Sequence, residues 1–434
     1  MILLLRRNET LKIKFKLNLN ALTFGKFFFL IFALYILWFR YAYGTRPIIL
    51  YGSAILVAFF VFLDILLRRR LIISTVPRIV KTYFVLALYA LISGLLVAPN
   101  KSHLVSEVIT FLAYSVICFS VAYISEAEGN LDWAFKIFVL CGIIISAYVY
   151  FRGYSYETDG VFAITLGEEQ NPNHLAASMI VVLFALLYNF ERFQKRVALH
   201  SMLVLIFSGV IILSASRKCF AALAVLLFGW IVRFLFAIRK KEISPVSTGS
   251  GRFRKELFAV MILLVGIGVG IVYMLNRFES TAVYEKFLKT ISKGNGVGSR
   301  LSLYREAWEL FKSHPLFGVG FDQFRFFSSS GTYSHSVYAE ILSCLGIFGT
   351  LIFFVPLLAT YFQQMGALLR RKFHHPTGFM IGLMFTVELF LGTGTIFLYD
   401  FYALFILTAL FWLWEHQKAS GAVSDCEQQE NSRS

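Results

Sequence analysis

GSRLSLYREAWELFKSHPLFGVGFDQF, residues Gly298 to Phe324, and YSHSVYAE, residues Tyr333 to Glu340, mark the one long polar interval of this sequence, Asn276 to His335. On either side of it apolar runs follow one another. With 58% hydrophobic residues, 15% charged residues and a mean hydropathy of +0.70, the chain is far more apolar than soluble proteins, of which about a quarter of residues are charged. It reads as an all-α polytopic integral membrane protein whose polar chemistry is confined to the loops.

Working outward from the interval, spanning helices are expected at Leu22 to Phe39, Ile48 to Leu67, Val80 to Ala98, Leu104 to Ile124, Trp133 to Phe151, Pro172 to Phe190, Val197 to Leu213, Cys219 to Ala237 and Leu257 to Leu275 before it. Val337 to Phe362, Thr377 to Phe397 and Phe401 to Trp414 follow it. Each is near the ~20 residues that a bilayer requires. The expected organisation is therefore residues 1–275 with nine spans and polar connections at 151–171 and 214–218. The long loop 276–335 follows, then three spans in 336–415 and a disordered tail in 416–434. The first apolar run is long enough to be a retained anchor and not a signal peptide.

The net charge of +16 would point to nucleic acid in a soluble chain. Here it sits largely in short loops beside apolar segments, which excludes that reading in favour of the positive-inside rule. If the N-terminus is cytoplasmic, 27 of the 41 Lys and Arg fall inside, and eight of the remainder fall in the long interval. Both termini are then cytoplasmic, and residues 151–171, 214–218 and 276–335 face outward together. Five cysteines without a CxxC pair give neither a disulfide framework nor a zinc site.

Within the interval, Arg300, Tyr304, Trp308 and Phe311 recur at helical spacing, with Arg305, Glu306, Glu309 and Lys312 opposite. An amphipathic helix is expected from Ser299, as N-cap, to Ser313, lying near the membrane surface. Arg300 in its first turn would oppose the helix dipole unless an anion sits there. Arg217, in a turn between two spans, is either an edge anchor or, with Arg300, half of a site whose planar donor forks match a pyrophosphate. His335, where the interval meets the next helix, can orient a hydroxyl or accept its proton. Glu168, Asn173 and His174 crowd the outer mouth of another helix and can line a sugar site. No pair among the outward histidines His103, His174 and His314 has metal-ligand spacing. Glu388, a carboxylate inside a span, faces either a cavity or a partner.

The string from Arg217 through Arg300, His314 to Gly320, His335-Ser336-Val337-Tyr338, and Gly346 with Gly349 resembles the signature of the O-antigen ligase and polymerase superfamily. These are bacterial membrane glycosyltransferases that use undecaprenyl-pyrophosphate-linked glycans. The resemblance implies that Arg217 and Arg300 hold the carrier pyrophosphate while His335 acts on the acceptor hydroxyl, with inversion, without metal or other cofactor. It places Arg305, Tyr304 and Tyr338 beside the substrate. It further implies a glycan or lipid A-core acceptor, membrane-lipid surroundings and an active site at the outer face of the cytoplasmic membrane. Ser336 stands where Asn is common in the family and Tyr304 where Trp is common. The ligase reaction is the expected one, with polymerase as the alternative. A lipid-linked glycan flippase would explain the helices, but a transporter of two halves tends to show related halves and midplane charges, whereas here the connection between the sixth and seventh helices is short and the polar chemistry collects outside; a scaffold would leave the arginines and histidine without a role.

Overall fold

The computed structural model of the chain describes residues 21–68, 76–158, 161–167, 170–193, 197–239, 295–369 and 376–431. These form helices α1 (Ala21–Tyr43), α2 (Pro47–Arg68), α3 (Arg78–Val97), α4 (Lys101–Glu128) and α5 (Asp132–Arg152), strands β1 (Tyr154–Thr158) and β2 (Val161–Thr165), and helices α6 (Pro172–Phe193), α7 (Val197–Leu213), α8 (Arg217–Arg239), α9 (Asn295–Ser313), α10 (Val337–Leu369), α11 (Pro376–Leu391) and α12 (Phe401–Asn431). Among the described residues, α1 to α6 and α10 are long and apolar enough to cross a membrane, and α7 and α11 contain shorter apolar stretches. The protein is a multi-pass, essentially helical membrane protein. The span expected at Leu257 to Leu275 lies outside the described residues, as does Glu168.

Helix α6 and the first half of α12 form the centre of the bundle. Both are buried on all sides, as helices without a polar face must be. Small residues let neighbours approach: a Cβ at Gly142 of α5 would lie 2.3 Å from Val182 of α6, and one at Gly229 of α8 2.6 Å from Leu383 of α11. Close backbone approach of this kind supplies the van der Waals contact that holds helices together in lipid.

The all-α reading holds, with one small addition, and three expectations change. The addition is an antiparallel hairpin, with Tyr154 opposite Thr165 and Thr158 opposite Val161. Its strands are β-branched and aromatic, and the sequence between them is Asp159-Gly160, the pair that favours two-residue hairpin turns. The amphipathic helix begins at Asn295, so Ser299 is inside it and Arg300 is past its first turn. The dipole argument for Arg300 therefore falls. Helix α11 stops at Leu391, because Gly392 and Gly394 open a turn that continues into a short 3-10 segment, Phe397–Tyr399. The tail read as disordered is helical through Asn431 as the continuation of α12.

The reversal His314 to Gly320 docks into an opened helix. Gly346 of α10 has φ 64° and ψ −166°, a conformation essentially reserved for glycine. The break frees main-chain groups on either side of it. Val319 and Gly320 donate to the carbonyls of Ser343 and Cys344 at 3.1 and 2.8 Å, and Ile347 donates to Pro315 at 2.9 Å. Tyr89 of α3 closes the joint with a 2.8 Å bond to the Leu345 carbonyl. This fastens the interior of the long loop to α10.

Candidate active site

His335 is held by its neighbours and not by a helix. The Ser334 N–H donates to Glu340 Oε2 at 2.7 Å, the Ser334 hydroxyl to the Ser336 carbonyl at 3.1 Å, and His335 itself adopts φ 57°. Glu340 is buried in the first turn of α10, and its other oxygen accepts from the Tyr399 hydroxyl at 3.0 Å. The Val337 N–H reaches the carbonyls of Gly392 and Thr395, which ties the start of α10 to the turn after α11. The His335 ring leans on Tyr333 with centroids 4.4 Å apart. Burial, followed by the nearby Arg300, His174 and Lys218, pushes its imidazole down to about 4, so it is neutral at physiological pH.

The cations arrive from two elements. Ser216 caps α8, its hydroxyl accepting from the Cys219 N–H at 3.5 Å, and donates to Asn173 Oδ1 at 2.7 Å. The second bond clamps the turn that carries Arg217 against the start of α6. Arg217 is exposed as the first residue of α8. Lys218 follows it, half-buried, with Nζ 3.1 Å from the Leu391 carbonyl and within the field of Arg300. On α9, which rests on α10 through Leu303 and Ala307, Tyr304 donates to the Thr393 carbonyl at 2.8 Å. It thereby sets Arg300, one turn earlier on the same face. Lys218, Tyr304 and the start of α10 thus converge on the 391–395 turn.

On the other side of Tyr333 lies a cavity of about 290 Å³ bordered by Arg40, Tyr41, His174, Tyr333, Tyr399 and Asp400, with Glu107, Asp322 and Arg325 at its far end. His174 Nδ1 lies 3.0 Å from Asp400 Oδ1, and Nε2 lies 3.4 Å from the Tyr333 hydroxyl. Asp400 Oδ2 accepts from Tyr402 at 3.1 Å. Burial raises the Tyr333 hydroxyl to about 12, so it stays protonated. Arg40 reaches the cavity because the last part of α1 contains a π-helical turn, Tyr35–Phe39. Its guanidinium lies over the Tyr41 ring at 4.4 Å and bonds the Tyr114 hydroxyl at 3.4 Å. At the far end, ligand atoms of His103, Glu107 and Asp322 lie within 4.8 Å of one another, a spacing a metal ion could use. Arg325 already holds Asp322 Oδ1 at 2.7 Å while His103 takes Oδ2 at 2.8 Å, so the cluster carries its own counter-charge.

Residues 201–354, about a third of the chain, match the family model described as O-Antigen ligase. Over that stretch the chain is similar to the O-antigen ligase family. No curated protein matches it. The O-antigen ligase match contains Arg217, Arg300 and His335 together with the Gly318 to Gly349 joint, but leaves His174, Arg40 and Asp400 outside it.

Of the residues picked from sequence, the fold gathers His335, Arg300, Tyr304 and His174 around one end of the bundle, with Arg217 beside Lys218. Asn173 is there too, and its side-chain oxygen accepts from the Ser216 hydroxyl, which braces the Arg217 turn. Arg305 points to solvent. Tyr338 stacks on Phe354 and donates to the Leu389 carbonyl at 2.7 Å, on the outer side of α10. Glu388 is buried with Oε1 lacking a hydrogen-bond partner among the described residues, facing Lys218. Sequence reasoning passed over Arg40, Lys218, Tyr333 and Asp400. A lone Asp immediately before the apolar run from Phe401, and an Arg at the outward end of the first span, were the available signals.

Proposed function

We propose that this O-antigen ligase-type membrane glycosyltransferase moves a glycan from undecaprenyl pyrophosphate to a sugar hydroxyl at the outer face of a bacterial cytoplasmic membrane, the lipid A-core being the acceptor. The observation that carries the reading is the neutral His335 set between the Arg300–Lys218 cations and the polar cavity. An anionic diphosphate is drawn to the cations and a hydroxylated sugar to the cavity, and the reacting atoms meet at the imidazole.

The acceptor oxygen attacks the anomeric carbon from the face opposite the diphosphate. The carbon–oxygen bond to the carrier breaks, and its electron pair stays on the diphosphate. Arg217 and Arg300 lower the barrier by bonding the charge that develops there, which is worth more in a site shielded from water. His335, uncharged, orients the incoming hydroxyl, whose proton is lost to a neighbouring base as the new bond forms.

Reconstituted in liposomes with host lipid-linked glycan and lipid A-core, the protein is expected to transfer glycan, and the Arg300→Ala protein to lose at least ~10²-fold in rate. Full activity of Arg300→Ala would overturn the reading. Ser336 in the string after His335 favours the polymerase alternative. Deleting the gene in its host separates the two. Long glycan left on the carrier supports ligation, and acceptor bearing a single repeat unit supports polymerisation.

A further inference from the structure

Two imidazoles flank Tyr333, and their surroundings differ. His335 stands among positive charges with its ring against the tyrosine face. His174 stands against a carboxylate: Asp400, 3% exposed, fixes Nδ1 at 3.0 Å and is itself fixed by Tyr402. With a carboxylate on Nδ1, the proton belongs on that nitrogen, and the lone pair of Nε2 is directed at the Tyr333 hydroxyl and the cavity. A hydroxyl already sits 3.4 Å from Nε2, marking where another would lie. Asp400 thus gives His174 a fixed orientation, whereas the charged groups around His335 include the cations Arg300 and Lys218.

We propose that His174, positioned by Asp400, takes the proton of the acceptor hydroxyl, and that the cavity before it holds the acceptor's sugar. This rests on the transferase reading above and divides the labour within it, leaving His335 to orient. In the step, the hydroxyl oxygen bonds the anomeric carbon and its proton passes to Nε2. The diphosphate leaves with the electron pair of the broken bond, and the proton later returns to water through the cavity mouth. Arg40, on the opposite wall, supplies donors to sugar oxygens. His174 is then a catalytic residue and Asp400 a positioning residue.

The test uses the full chain in liposomes, with lipid-linked glycan extracted from host membranes and either lipid A-core or the same lipid-linked glycan as acceptor. His174→Gln is expected to lower kcat roughly 10²-fold, the size of a general-base contribution, with the donor KM unchanged. Asp400→Asn, which keeps the shape, is expected to lower kcat at least about tenfold, and Asp400→Glu to recover part of it. Wild-type kcat in His174→Gln alongside an inactive Arg300→Ala would sink the dyad and leave the transferase reading standing. Activity in Arg300→Ala would remove both. Should His174→Gln not fold, the isosteric Asp400→Asn decides, and a raised donor KM with undiminished kcat there would overturn the proposal.

Discussion

At the scale of single residues, the site works by holding one titratable group neutral in a cationic setting. His335 is pushed from 6.5 to about 4 by burial and then by Arg300, His174 and Lys218. Replacing Arg300 with Ala should therefore raise it toward 6.5, read by titrating histidine-labelled protein by NMR; an unmoved value would place Arg300 out of range. The same depression has a stability consequence. Between about 4 and 6.5 the unfolded chain binds the proton that the folded one refuses, so stability is complete above that window and falls as pH drops through it. Denaturant midpoints at pH 7 and pH 5 check the sign, and His335→Asn should flatten the difference. Transfer by Arg217→Lys should stay well below wild type, since an ammonium lacks the two-pronged fork. Arg217, Arg300 and His335 were legible as candidates because they fall in the polar connections read as outward, where Lys and Arg are the minority, and within the string that carries the family resemblance. Asp400 was not, because its role depends on His174, which only the folded bundle brings to it.

At the scale of elements, most helices were legible and their joints were not. A span declares itself by length and apolarity, so α1 to α8 and α10 to α12 fall close to the expected segments. The opened helix at Gly346 leaves no such mark: the sequence around it is uniformly apolar, and only contact with the 315–320 reversal makes the break worth its lost hydrogen bonds. Gly346→Ala should cost about 1–3 kcal/mol from the dihedral alone. The cost should exceed that because the added Cβ meets the Leu316 carbonyl oxygen at 2.4 Å. A thermal melt of the purified protein measures it. Gly366→Ala, where nothing lies within 4 Å, is the control and should be neutral or stabilising. An equal effect of the two substitutions would contradict the docking described here. The hairpin was missed for a different reason: ten residues of strand are a weak signal beside twenty-residue spans.

At the scale of the whole molecule, the site draws on α1, α4, α6, α8, α9, α10, α11 and α12 where they meet at one end of the bundle. The outward placement of that end rests on the Lys and Arg distribution and is directly testable. Single cysteines replacing Ser155 and Ser328 should react with an impermeant thiol reagent in intact cells, and one replacing Ser247 should not. Labelling at 247 alone would invert the protein in its membrane. The separation along the chain of the parts that meet has a further consequence. His174 finds Asp400 226 residues later, which at about 5–20 residues per second is roughly 10–45 s of synthesis. During that time the early helices are already in the bilayer while the dyad, and the 391–395 turn that anchors Val337 and Lys218, do not yet exist. The nascent protein therefore lacks the His174–Asp400 pair until its last helix is inserted, and a chain cut short before residue 391 would occupy the membrane without ever assembling the end of the bundle that gathers His174, His335 and Lys218.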